Sequence, residues 1–324
     1  MIYLWVRDYI CVYRKEELQS MELKNRLKSI IYNTGLYVTY DVFLTKRLRK
    51  KMLRDGLKPI GDFDLDSLKT SDTLFILGSG TSVMNLSVEN WEEVKKHDSL
   101  GFNGWPLHDF VPTYYCIETS KNPTVAKIRI GHLNARSQDY KNTPVFIQYP
   151  HMLSANEDYS SLVFPKDNIY YNDPYMPFTT NFRVMKRLIS RWFKSKPKDL
   201  NGLIHYSASL SYLLGMGYRM GYKKMVLLGI DLNNSGYFFE HDNASKRAKE
   251  FLPVYEKEIR KKNNLTKESM HATVSKKITA QYGCLPIDVY VEQFNKELLT
   301  KGVQLYIGNS ESKLYPMLPL FEFK

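Results

Sequence analysis

The sequence predicts an α/β protein of Rossmann-like type: a mostly parallel sheet with helices on both faces, a small helical lid and an N-terminal helical extension. Three observations predict it. Short apolar runs of strand length alternate with longer segments of helical spacing. The first such run, Leu74-Phe75-Ile76-Leu77, passes at once into the glycine turn Gly78-Ser79-Gly80-Thr81-Ser82. The run Met225-Val226-Leu227-Leu228 is apolar without alternation, which is what a strand covered on both faces requires.

Residues 1 to about 70 are charged and mostly helical in pattern, and they end in Gly56, Pro59 and Gly61, which punctuate an entry loop. The regular pattern begins at Thr73 with the first strand, and Trp91 to Lys96 reads as the helix that follows its turn. Further strands are predicted at Ser99 to Phe102, Tyr114 to Ile117, Val145 to Tyr149 and Asn168 to Tyr171, separated by polar and proline-bearing loops. Ser207 to Met220 has the length and apolar content of a buried helix, and Gly221 stands where a left-handed cap ends it. Lys224 to Asp231 reads as a central strand ending in a carboxylate. From Glu240 to Met270 the composition is charged and helical without a sustained apolar stripe, which suits a lid. Val289 to Thr300 reads as the last helix and Val303 to Ile307 as the last strand. The organisation expected is an extension over 1–70, a Rossmann-like core over 71–239 and 271–324, and a lid insertion over 240–270.

Composition bounds the function. The 324 residues, 43% hydrophobic and rich in Tyr and Phe, suffice for a packed core and argue against disorder. The three cysteines, Cys11, Cys116 and Cys284, are far apart and form no CxxC pair, so neither a disulfide framework nor a zinc site is expected. The apolar start, Met1 to Tyr13, is broken by Arg7 and Asp8 and lacks a cleavage pattern, so a cytoplasmic protein is expected, and the N-x-S/T patterns at Asn85, Asn243 and Asn264 carry no weight. A net charge of +12 asks for an anionic partner. It concentrates in Lys46 to Arg54 and in Arg183 to Lys198, both interleaved with apolar residues at helical spacing. Each run reads as a solvated helix with one face on the core, or as a segment lying on the anionic inner membrane surface. No nucleic-acid motif is present, so no nucleic acid is expected; an oligomer is compatible with the composition.

Several residues have chemistry to offer. The turn Gly78 to Ser82 brings backbone N–H groups and hydroxyls to a helix start, where a phosphate binds. Val83 occupies the place of the third glycine of GxGxxG, which disfavours a dehydrogenase. Asp231, Asn233 and Tyr237 lie just beyond the carboxyl end of a buried strand, where open α/β sheets bind ligands. Asp231 with His241 and Asp242 has no metal-ligand spacing, and a carboxylate that holds its own loop fits better than a metal ligand. His271 follows the lid and titrates in the range that suits removing a proton from a sugar hydroxyl. There is no GxSxG elbow, no HExxH and no GxxxxGKS/T loop, which removes the commonest hydrolase and kinase readings.

Four parts together resemble the bacterial sialyltransferases of glycosyltransferase family 42. They are Phe75 to Ser82, then Gly101-Phe102-Asn103, then Ser209 through Gly221-Tyr222-Lys223-Lys224 to Gly229-Ile230-Asp231, and last His271 before Asn309-Ser310-Glu311-Ser312-Lys313-Leu314. The resemblance spans 73–320 and is one of motif order. It implies a Rossmann-type core that transfers an acidic sugar, sialic acid, a related nonulosonate or Kdo, from a CMP-activated donor to a glycan or lipid-linked glycan in bacterial surface polysaccharide synthesis. Gly78, Ser79, Gly80, Thr81, Ser82 and Asn103 would hold the donor nucleotide, Ser209 the donor, and His271 would be the general base. A tyrosine pair steadies the departing phosphate in that family; here the first position is Asn233, and Tyr237 stands two residues from the second. No cofactor and no obligatory divalent metal is implied. Two other readings stay open on the residues alone: a phosphoryl- or pyrophosphoryl-transferring enzyme on the same core, and a basic binding module without catalysis.

Overall fold

The computed structural model describes residues 19–65, 67–118, 123–148, 162–195, 198–234, 236–257 and 270–323. Met1 to Tyr13 with Cys11, Tyr149, Asn264 and most of the second half of the expected lid lie outside them. Seven short strands make one sheet in the order β5-β4-β3-β2-β1-β6-β7. They are β1 Thr73–Leu77, β2 Asp98–Phe102, β3 Tyr114–Glu118, β4 Val145–Gln148, β5 Ile169–Asn172, β6 Lys224–Leu228 and β7 Gln304–Ile307. Every neighbouring pair is parallel. The chain walks outward from β1 to β5 and then returns to the far side of β1 for β6 and β7. Strand order therefore reverses at β1, and in an open parallel sheet the crevice beyond the carboxyl ends at such a point is where ligands bind.

Both sheet faces are covered, as uninterrupted apolar strands demand. Successive side chains point to opposite faces, so Leu74 and Ile76 enter one core cluster with Tyr114, Phe146, Met225 and Leu227. Phe75 and Leu77 enter the other with Tyr115, Ile147, Val226 and Leu228. The first cluster is closed by helices α5 Phe182–Lys194, α6 Ser209–Arg219 and α9 Ile287–Thr300. The second is closed by α3 Val88–Lys95, α4 Pro123–Ala135 and α7 Lys246–Tyr255. Helix α5 shows why: Met185, Ile189, Trp192 and Phe193 share one face and are buried, while Arg183, Lys186, Arg187, Arg191 and Lys194 are exposed. Burying side chains of this size is worth about 1.5–3 kcal/mol each. The apolar stripe of this basic run thus lies in the core. Among the described residues no helix is long and apolar enough to cross a membrane.

Several element boundaries differ from the sequence expectation. Helix α3 starts at Val88 because Ser87 and Asn90 form a reciprocal capping box. Strand β6 stops at Leu228, short of Asp231, because Gly229 adopts a φ of 65° and turns the chain. Strand β5 runs one residue later, Ile169–Asn172. Gly221 is the left-handed cap expected of it, with φ 81° and its N–H on Tyr218 O. Helices α4 and α8 Lys276–Gln281 have no counterpart in the expected element list.

The N-terminal helices α1 Gln19–Thr34 and α2 Leu36–Arg54 are separated by Gly35 at φ 77°. They pack on the body through specific polar contacts. The fully buried Asp41 carboxylate accepts the Met176 N–H at 2.9 and 3.0 Å, Thr179 Oγ1 donates to Tyr32 O at 2.6 Å, and Arg49 donates twice to Asp173 O. Tyr37 stacks on Phe178 with centroids 5.5 Å apart. Asp41→Ala leaves a buried N–H without its acceptor, and urea unfolding is expected to show a loss of about 1–3 kcal/mol. A loss within experimental error would mean that these helices are not docked through this contact.

Candidate functional site

The site begins with two loops pressed together. Beyond β1 and β6 the backbones continue side by side: Gly78 N–H donates to Leu228 O at 2.7 Å and Gly80 N–H to Gly229 O at 2.8 Å. A Cβ on Gly78 would stand 2.4 Å from Gly229 O, and one on Gly229 would stand 2.4 Å from Gly78 O. No side chain fits between them. Asp231 locks the arrangement. Its carboxylate accepts the Ser82 N–H at 3.1 Å, the Ser82 and Thr81 hydroxyls, and Asn309 Nδ2 at 3.2 Å. The same loop receives the C-terminal segment, with Ser312 Oγ on Ile230 O at 2.7 Å and Lys313 N–H on Asp231 O at 2.9 Å.

Above this junction, at the carboxyl ends of β1, β2, β3 and β6, opens a cavity of about 460 Å3. That size is ordinary for a small-molecule site. Among the described residues three non-glycine residues have positive φ: Asn103 at 50°, Ser207 at 64° and Leu232 at 62°. All three line this cavity. Backbone strain of this kind costs roughly 1–3 kcal/mol per residue and persists where the surroundings over-determine it, typically at functional sites.

Asn103 is held on every side. Its N–H donates to Cys116 O at 3.0 Å, its C=O accepts the Tyr115 hydroxyl at 2.6 Å, and its Oδ1 accepts the Glu118 N–H at 2.9 Å. The side-chain oxygen being taken, the amide offers Nδ2 to the cavity. Glu118 ends β3, and its carboxylate accepts the hydroxyl of Ser209, the first residue of α6. His205 Nε2 lies 4.0 Å from the other carboxylate oxygen, and Gln148 at the end of β4 meets His205 Nδ1. Arg129 of α4 donates to Glu118 O at 2.8 Å. Helix α6 starts without a side-chain cap, with Ala208 before it, and Ser207 to Leu210 line the cavity. The first N–H groups of such a helix suit an anion.

The opposite wall is aromatic. Tyr237 stacks on Phe239 at 5.1 Å, Tyr255 meets both edge-on, and Phe251 packs against Phe239 and His132. Tyr237 reaches the glycine turn through an antiparallel bridge to Gly80, with Phe238 N–H on Ser79 O at 2.9 Å. His271 caps a short turn at the cavity edge; its Nδ1 lies 2.8 Å from Thr273 Oγ1 and 3.4 Å from the Thr273 N–H. Nδ1 accepts the Thr273 N–H, and these two contacts orient the ring. Burial pushes the His271 pKa down from its usual 6.5, and burial does the same to His132.

Of the residues singled out from sequence, Ser79, Gly80, Asn103, Ser209, Asp231, Tyr237 and His271 line this one cavity. Gly78, Thr81, Ser82 and Asn233 do not line it. The N–H groups of Gly78, Gly80 and Ser82 are bonded inside the protein, and Asn233 Nδ2 donates to Glu311 O at 2.6 Å on the exposed side of the loop. The turn is thus held chiefly by Asp231 and β6. Glu118, His205, Arg129 and Tyr255 were not singled out from sequence; a carboxylate closing an apolar strand run is the signal that would have pointed to Glu118. Among the described residues no cluster of three His, Cys, Asp or Glu side chains forms a metal-binding set.

No protein-family model matches the chain, and no curated protein matches it in sequence. Among solved structures it is similar to the monofunctional alpha-2,3-sialyltransferase Cst-I from Campylobacter jejuni, at 13% identity over 79% of this chain and 83% of that one, with a TM-score of 0.43. It is also similar to the sialyltransferase CstII from Campylobacter jejuni in complex with the substrate analogue CMP-3FNeuAc, at 14% identity over 78% and 86%, with a TM-score of 0.39.

The clamp makes a direct prediction. Asp231→Ala removes the acceptor of a backbone N–H and two hydroxyls at a buried position, and a loss of about 1–3 kcal/mol in denaturant unfolding is expected. Unchanged stability would show that the glycine turn holds without it.

Proposed function

We propose that the cavity binds a nucleotide-activated sugar and that the protein is a glycosyltransferase. The observation that carries the reading is the convergence at the point of strand reversal: Asn103, the start of α6, Tyr237 and a histidine kept neutral by burial all line one cavity, among strained residues. The motif order shared with family 42 sialyltransferases supports a CMP donor carrying an acidic sugar, sialic acid, a related nonulosonate or Kdo, and a glycan or lipid-linked glycan acceptor.

In this scheme Asn103 Nδ2, the Ser79 hydroxyl and the free N–H groups at the start of α6 hold the nucleotide and its phosphate. His271 takes the proton of the acceptor hydroxyl as its oxygen bonds to the anomeric carbon, and the bond from that carbon to the phosphate oxygen breaks. CMP leaves as a phosphate monoester with the bonding electrons, and the anomeric centre inverts. Tyr237 donates to the departing phosphate. Preorganised hydroxyl and amide donors stabilise that charge, so the scheme calls for no divalent metal.

Three outcomes are expected. CMP, but not UDP, GDP or NAD, raises the thermal midpoint, because a ligand at a hundred times its Kd stabilises the folded state by about 2.7 kcal/mol; Asn103→Ala abolishes the shift. Indifference to CMP would sink the donor assignment. His271→Ala lowers kcat by roughly 10²–10⁴ while CMP binding persists. The base must be neutral, and a lowered pKa moves its protonation to lower pH, so the acid limb of the kcat/KM profile is expected below the usual 6.5. A limb at or above that value would assign the proton transfer to another group.

A further inference from the structure

Glu118 is a cavity residue that this scheme leaves without a task. Its backbone cannot swing, because its N–H is held by Asn103 Oδ1 and its C=O by Arg129. Its side chain is 27% exposed, where the residue lines the cavity. The Ser209 hydroxyl donates to Oε2, whereas Oε1 is 4.0 Å from His205 Nε2, beyond hydrogen-bond length. A carboxylate takes about four hydrogen bonds, so acceptor capacity remains on a residue that lines the cavity. What docks against it must bring donors.

We infer that Glu118 is a specificity-determining residue that receives a vicinal diol of the substrate, with Ser209 as the residue that positions its carboxylate. Two adjacent hydroxyls present two O–H donors at the spacing of two carboxylate oxygens, as when a strand-end acid holds the ribose of a dinucleotide. Glu118 shares a hydrogen bond with Asn103, which places the diol next to the nucleotide. The inference rests on the nucleotide-sugar reading. The diol belongs to the ribose or to a sugar ring, and the two sources separate experimentally.

The test is calorimetric titration of the full chain with CMP, 2′-deoxy-CMP and 3′-deoxy-CMP, in the wild type, Glu118→Ala and the near-isosteric Glu118→Gln, with steady-state KM values for donor and glycan acceptor. If the ribose is the source, the wild type prefers CMP over both deoxy forms by about 10- to 100-fold, Glu118→Ala brings the ratio near one, and Glu118→Gln falls between. If a sugar ring is the source, that ratio stays as it was while a KM rises about tenfold. Should Glu118→Ala not fold, the Gln variant carries the same comparison. A ratio and KM values all unchanged in folded Glu118→Gln and Glu118→Ala overturn this inference alone; a wild type that binds no nucleotide overturns the function reading together with it.

Discussion

The site depends on how closely two backbones approach after β1 and β6. Gly78 and Gly229 let the strand ladder run on past the strands, and any side chain at either position would collide with the other's carbonyl. Asp231 then ties the turn to the β6 loop, and Asn309, Ser312 and Lys313 tie that loop to the chain's last segment. With three segments joined at one junction, the floor of the cavity is a preorganised surface and not a set of independent loops. The glycines serve this junction first. Only Ser79 and Gly80 of the turn reach the cavity.

The walls are built by elements that share no local sequence. β2 and β3 bring Asn103 and Glu118 next to each other, the segment before α6 brings His205 and Ser207, and the segment after the expected lid brings His271. Hydrogen bonds to Cys116, Tyr115 and Glu118 hold the strained backbone at Asn103. The surroundings lower the pKa of His271 by removing water from it, which favours the neutral ring. The far end of the sheet has its own carboxylate anchor: Asp98, buried, accepts from Thr70, Ser71 and the Tyr222 hydroxyl. The sheet is therefore pinned at both ends by buried acids that use all of their nearby donors locally.

Much of the fold was legible because buried parallel strands leave a plain mark. Phe75 to Leu77 and Met225 to Leu228 have no polar residue to place, and a sheet covered on both faces needs none. Helix α4 was not legible. Its sequence carries Pro123, Gly131 and His132 with little periodicity, and it is helical because Ile130 and Leu133 find a place in the second core cluster. The end of β6 was misread for a different reason: Gly229 and Ile230 continue an apolar run, and the positive φ that ends the strand belongs to the contact with Gly78.

By itself the sequence determined the sheet class, the glycine turn, the cap at Gly221 and seven of the residues that line the cavity, since each rests on local pattern and backbone preference. Tertiary structure decided which polar groups belong to the protein and which to a ligand. Asp231 and Ser82 satisfy each other, while Asn103 and Glu118 keep part of their capacity for the cavity. A side chain's hydrogen bonds are settled by what packs beside it. For these residues the partners come from strands and loops far apart in the chain, so no stretch of sequence contains the answer.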